Sequence, residues 1–224
     1  MATYLSMKLS INLTRGVFVY RIFLVFFVYL TIGTYANPSL PFDCLFDARY
    51  ETIMGNKNNK RIFIETGTAG GCGVAIADQL GFEIIHSIEL TPHRYADAHQ
   101  RLGHLPHVHL YLGDSATVLR TLLPEIQEPA FFWLDAHYNP GGDKWMNENC
   151  PLIRELEVIA SHHLNTHTIL IDDVRCFETT DFDNIVLDTV IALLKQINPN
   201  YEITFEDGFQ EGDVLVARLP CDHH

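Results

Sequence analysis

Two strongly apolar stretches of the chain break off in acids. FFWLDAH places Asp135 at the end of one, and ILIDDVR places Asp172 and Asp173 at the end of the other. Short continuous apolar runs of this kind are buried strands of a parallel sheet, and neighbouring parallel strands deliver their carboxyl ends to one edge. The three carboxylates are therefore expected to converge, where they repel one another unless a cation joins them. Oxygen donors with no cysteine among them suit Mg²⁺ or a similar divalent ion better than zinc. The plainer role for Asp172 and Asp173 is to cap the loop that follows. His137, two residues beyond Asp135, is placed to take a hydroxyl proton as a neutral imidazole near pH 7, or simply to pack against a substrate.

A second chemical signal lies upstream, in RIFIETGTAGGCGVAIADQL. A buried-type strand ends at Glu65 and gives way to Gly67, Gly71 and Gly73 at the head of a helix. Glycines there let the backbone turn sharply and come close to a ligand. Further on, Glu89 closes the run IIHSIEL, and Asp114 with Ser115 follows the run ending in YLG. Either of the last two also makes an ordinary helix N-cap.

These residues need a scaffold, and the hydropathy pattern supplies one. Beyond Pro38 and Pro41, short apolar runs alternate with longer amphipathic ones, as in a sheet with crossover helices. Strands are expected over 61–65, 83–89, 107–111, 130–135, 168–172, 201–205 and 213–218. Helices are expected to start near Gly71, Pro92, Ser115, Cys150 and Asp181, several of them behind recognisable start signals. The last two strands are joined by EDGFQEGD, which leaves no room for a helix, so the seventh strand should run antiparallel to its neighbour. The fold class is α/β: a Rossmann-like seven-stranded sheet, mostly parallel with an antiparallel last strand, and helices on both faces.

The spacing E-x-G-x-x-x-G-x-G resembles motif I of the class I S-adenosylmethionine-dependent methyltransferases, and the matching pattern spans roughly residues 61 to 218. The resemblance implies S-adenosylmethionine as cofactor, bound by Glu65, Gly67, Thr68, Gly71, Gly73, Glu89, Asp114 and Ser115, with Glu65 facing its amino-acid end, Glu89 the ribose and Asp114 the adenine side. The paired acidic strand ends resemble those of metal-dependent O-methyltransferases of the catechol and macrolide-sugar kinds. That likeness implies a divalent cation held by Asp135, Asp172 and Asp173, and catalysis by His137 and Asp135 on the hydroxyl of a small molecule or sugar. LDAHY followed by GG and CPL is also similar to a group of methyltransferase-like proteins that supplies no acceptor. The loop after the fourth strand, with Tyr138, Gly141, Gly142, Trp145 and Asn147, is expected to cover the acceptor. No NPPY or DPPY stretch is present, which argues against methylation of bases or amides. Two alternatives stay open: a binding protein that keeps the fold without transferring a methyl group, and a membrane-tethered glycan-processing enzyme of the same architecture.

Composition narrows the partners. The net charge is −13, and because Lys8, Arg15 and Arg21 outnumber Asp43 before residue 47, the body is more acidic still. Such a body repels phosphate backbones and makes nucleic acid an unsuitable substrate. Residues 47–219 are expected to form the domain and 220–224 a tail. Residues 1–46 read as a signal peptide or membrane anchor plus linker, on the strength of GVFVYRIFLVFFVYLTIGTYA. The expected arrangement is a membrane anchor with the domain facing the cytoplasm, where the cofactor is made, and the alternative is export after cleavage at Ala36. The five scattered cysteines read as unpaired thiols. The sequence sets no oligomeric state.

Overall fold

A computed structural model describes residues 49–137 and 148–220. The described residues fall within one compact unit, organised around a seven-stranded sheet of order β3-β2-β1-β4-β5-β7-β6. The strands are β1 Ile62–Thr66, β2 Ile84–Glu89, β3 Val108–Leu112, β4 Phe131–Leu134, β5 Thr168–Ile171, β6 Glu202–Glu206 and β7 Val214–Arg218. The first five pair in parallel, while β7 is antiparallel to both β5 and β6. Each expected strand is present to within a residue or two. Every residue of β1, β4 and β5 is buried, which explains why they read as unbroken apolar runs.

Successive β1 side chains serve opposite layers, as strand geometry requires. Ile62 and Ile64 join the core formed with α4 (Ser115–Leu122), α5 (Leu152–Ala160) and α6 (Leu187–Ile197). Phe63 joins the other core, with Ile53 of α1 (Arg49–Asn56) and Val74 to Ala77 of α2 (Cys72–Gln79). There Phe63, Phe82 and Phe131 form a ring cluster with centroids 5.2 to 5.7 Å apart. The remaining helix, α3, covers Pro92–Leu102, with Pro92 in the first turn as its sequence suggests. The chain runs outward from β1 to β2 and β3, then returns across the sheet to β4, so the order reverses beside β1. In open α/β sheets that switch point is where the crevice for a ligand lies.

Four expectations need correction. The helix foreseen near Asp181 begins at Leu187, because the preceding stretch is spent in tight turns with Asp183 and Asn184 at positive φ. There the Asp183 carboxylate accepts the amide hydrogens of Asn149 and Cys150 (2.7 and 2.9 Å) and so fixes the approach to α5. α1 was not foreseen: it is short, but Asn56 exchanges hydrogen bonds with Glu206 and Arg218, tying it to the last hairpin. Cys72 is disulfide-bonded, with its partner outside the described residues, whereas Cys150 and Cys176 are free thiols. Spacing in sequence carries no information on which Cβ atoms meet, so the reading of unpaired thiols does not hold for Cys72. The burial of His86 and His167 was likewise not foreseen.

The expected N-terminal segment over 1–46 and the tail lie outside the described residues. Among the described residues no helix is long and apolar enough to cross a membrane.

His167 makes a testable feature of the core. Its Nδ1 accepts the Ala130 amide hydrogen at 3.0 Å, so the ring proton sits on Nε2, 3.0 Å from His162 Nδ1. Burial, and then the neighbouring His162, push its pKa down to about 3. An unfolded histidine takes up a proton near pH 6.5 that the folded one refuses, so its contribution to stability is complete above that pH and is lost as pH falls. His167→Gln, which keeps an acceptor for Ala130, is expected to show a shallower fall in melting temperature than the parent between about pH 6.5 and 4. Equal slopes would remove His167 as a source of acid sensitivity.

Candidate active site

The loop from β1 to α2 is shaped by two close approaches. Gly67 (φ 86°) lies so near the start of the β4 loop that a Cβ would stand 2.3 Å from the Asp135 carbonyl oxygen. A Cβ on Gly73 would stand 1.8 Å from Glu65 Oε1. The Glu65 carboxylate therefore occupies the space that the missing side chain leaves at the head of α2. Gly71 instead faces Leu102 of α3, so its smallness serves helix packing.

Glu65 is fully buried and ends a hydrogen-bonded chain: Ser87 Oγ donates to Glu65 Oε2 at 2.6 Å, and Thr68 Oγ1 lies 2.6 Å from Ser87 Oγ. Since the Ser87 hydrogen is committed to Glu65, Thr68 is the donor to Ser87. Thr68 thus positions Glu65 through Ser87, a residue that sequence patterning did not single out. Glu65 Oε1 has no hydrogen-bond partner among the described residues. Burial pushes the carboxyl's pKa up to about 8, against the pull of Arg49. A buried carboxylate with a vacant oxygen costs free energy until a donor or cation reaches it.

Glu89, at the end of β2, anchors the same loop. Its Oε2 accepts from the Ala69 amide and its Oε1 from the Thr91 amide, both at 2.8 Å. Each oxygen keeps a second lone pair for a ligand hydroxyl. Asp114 fills the N-cap of α4, accepting from Thr117 N at 2.9 Å, and is gripped by Arg154 through contacts of 3.0 and 2.8 Å. The Arg154 guanidinium, with Thr117, holds its pKa down at about 2. The capping role open to Asp114 is therefore realised, and Arg154 is an addition. Ser115 is buried at the start of α4.

Beyond β4 and β5 the acids gather in two groups that share Asp173. Asp135, His137 and Asp173 bring ligand atoms within 4.8 Å of one another, and so do Asp172, Asp173 and Asp213. His137 Nε2 pairs with Asp173 and lies 3.4 Å from Asp135 Oδ1. The Asp173 backbone is left-handed (φ 61°), and its amide donates to Asp172 Oδ1 at 2.8 Å. Arg49 Nη1 lies 3.6 Å from Asp135 Oδ2, and Arg175 bridges Asp173 and Asp213. Asp213, Arg49 and Arg175 were missed in the sequence. EDGFQEGD was read only as a turn, and nothing in a linear pattern tells that two arginines will face the acids.

The cluster's protonation follows from this arrangement. Burial raises the pKa of Asp172 to about 7, with Asp135 and Asp173 adding to it. Burial opposes charge on His137, but Asp135 and Asp173 outweigh it and push its pKa up to about 10. The neutral imidazole expected near pH 7 is thus replaced by an imidazolium, because two carboxylates reach the ring. The foreseen acceptor loop, with Tyr138, Gly141, Gly142, Trp145 and Asn147, lies outside the described residues.

No family model matches the sequence, and no curated protein does. Solved structures do match in fold. An O-methyltransferase from Bacillus cereus, in complex with S-adenosylhomocysteine, is 16% identical over 89% of this chain and 90% of its own, with a TM-score of 0.51. A methyltransferase from Podospora anserina, also bound to S-adenosylhomocysteine, is 13% identical over 96% of this chain and 100% of its own, with a TM-score of 0.53. Gly73→Ala is expected to displace the Glu65 carboxylate and to cost about 1 to 3 kcal/mol of stability, read from denaturant unfolding, since the added carbon meets a buried group. A variant as stable as the parent would show that Glu65 moves aside freely. With seven strands in this order, an antiparallel β7 and a glycine loop at the switch point, the chain has the fold of the class I S-adenosylmethionine-dependent methyltransferases.

Proposed function

We propose that the chain is an S-adenosylmethionine-dependent methyltransferase acting on a hydroxyl of a small molecule or sugar, assisted by a divalent cation. The observation that carries the cofactor reading is the vacant Oε1 of Glu65, fully buried beside the glycine loop. A hydrogen-bond donor is the partner such an oxygen lacks, and the ammonium at the cofactor's amino-acid end would supply one. Glu89 offers its remaining lone pairs to the ribose hydroxyls, and the Asp114–Ser115 turn forms the adenine side. The cofactor's sulfonium supplies the methyl group, so no side chain of the protein need become covalently modified.

On the acceptor side two overlapping donor sets that share Asp173 fit a hard cation: Asp135 and Asp173 with His137, and Asp172 and Asp173 with Asp213. A cation there would orient the acceptor oxygen and lower its pKa. The carboxylates that keep His137 charged are the ones such an ion would engage. With a cation sharing the charge of Asp135 and Asp173, His137 would release its proton to solvent and could then accept the hydroxyl's. A second reading is favoured by Arg49, His137 and Arg175, which already balance Asp135, Asp173 and Asp213. In it, transfer proceeds on the charge that the chain itself provides.

Calorimetric titration with S-adenosylhomocysteine is expected to give a binding isotherm, with Glu65→Gln weakening affinity by about 1 to 3 kcal/mol, the scale for a lost hydrogen bond to a charged group. An unchanged affinity would move the cofactor's ammonium elsewhere. With an acceptor in hand, chelation is expected to abolish turnover, Mg²⁺ to restore it, and His137→Ala to lower kcat with little effect on cofactor affinity. Chelator-resistant turnover would select the second reading.

For location, we propose the anchored arrangement facing the cytoplasm because it meets the cofactor supply. The Cys72 disulfide instead favours export into an oxidising compartment after cleavage at Ala36. Protease protection of intact vesicles is expected to shield the domain if it faces inward, and a mature chain starting at Asn37 would refute the anchor.

A further inference from the structure

The first turn of α5 grips the start of α4 with two successive side chains. Arg154 holds Asp114. The next residue, Glu155, lies in the interior at 1% exposure. Its carboxyl interacts with the hydroxyls of Thr66, the last residue of β1, and Ser115, the first of α4. Even so, Glu155 Oε1, Thr66 Oγ1 and Ser115 Oγ each lack a direct hydrogen-bond partner among the described residues, and all three are buried. Burial pushes the Glu155 carboxyl up to about 7, against the pull of the two hydroxyls.

Three unsatisfied oxygens from three elements at one point of a core are costly, since buried polar groups are nearly always paired. A single internal water with two to four polar neighbours is the usual remedy. The place is telling. Thr66 lies between Glu65 and Gly67 on a rigid strand end, and Ser115 follows Asp114 in the turn on the adenine side. Nothing in the acid cluster or at Glu65 uses Glu155, and its carboxyl has no lysine or arginine hydrogen-bonded to it.

We propose that Glu155 is a positioning residue for the cofactor's adenine end, tying Ser115 to the fixed end of β1 through Thr66, with one buried water completing the hydrogen bonds. This rests on the methyltransferase reading. The carboxyl is needed as a polar link rather than as a charge, so an amide of the same shape should serve.

The full chain, titrated calorimetrically with S-adenosylhomocysteine and separately with adenosine, tests this. Glu155→Met is expected to weaken both by about ten-fold or more, since adenosine carries the whole affected end, whereas Glu155→Gln stays within about three-fold of the parent. The proposal is overturned if folded Glu155→Met binds adenosine as the parent does. It is equally overturned if the Met and Gln variants weaken alike in step with their melting temperatures, as a merely structural role would require. Should Glu155→Met not fold, Thr66→Val takes its place: a comparable loss for adenosine supports the link, and unchanged binding refutes it. A parent chain that binds no S-adenosylhomocysteine refutes the methyltransferase reading itself.

Discussion

Asp173 accepts from both His137 and Arg175, and much of the molecule is arranged to make that pairing possible. A parallel sheet brings its strand ends to one edge, and here those ends carry acids. In a partly buried setting each added carboxylate raises the cost of ionising its neighbours. The chain answers with cations drawn from distant elements. Arg49 comes from the first described helix, His137 from the turn after β4, and Arg175 from the turn after β5. With these cations in place, Asp172 is the member whose pKa is driven up to about 7, chiefly by burial. Arg175 does double duty, since it joins the turn after β5 to Asp213 at the start of β7.

The end of β1 works on both faces of the sheet at once. Glu65 meets Gly73 of α2 on one side, and Thr66 interacts with Glu155 of α5 on the other. A strand cannot present two adjacent side chains to the same face. One residue step therefore separates the buried carboxyl beside the glycine loop from the hydroxyl turned to the opposite layer. The switch-point crevice lies between these two supports, and the helix starts on either side are pinned to the same strand.

How much of this could be read from the chain depended on whether the information was local. Strands β1, β4 and β5 are buried on both faces and announce themselves as apolar runs, and Asp114 announces the start of α4 by its capping chemistry. That Asp135, Asp172 and Asp173 lie at one edge follows from topology, because parallel neighbours share it, but that Asp173 joins two separate groups does not. What stayed hidden were pairings across the fold. α1 is held by Asn56 against Glu206 and Arg218, contacts more than a hundred residues apart in sequence. Arg175 and Asp213 look like ordinary surface residues until the hairpin folds back. Glu155 sits in an amphipathic stretch where a charged residue is expected to face solvent, and only the packing of α5 on β1 reveals it as buried. His137 was placed correctly in the chain, but its charge state depends on a second acid that reaches the ring from β5.

The position of β7 in the sheet has a consequence for the order of assembly. It is the last strand in sequence, yet it lies between β5 and β6. As the chain leaves the ribosome, β6 therefore emerges with no strand to pair with, and the open flank of β5 waits as an unsatisfied edge. Asp213 arrives with β7 and supplies the far half of the bridge through Arg175. Until then the turn carrying Asp172 and Asp173 has the contact between Asp173 and His137 but not those to Asp213, so it reaches its final form when the last described strand is seated.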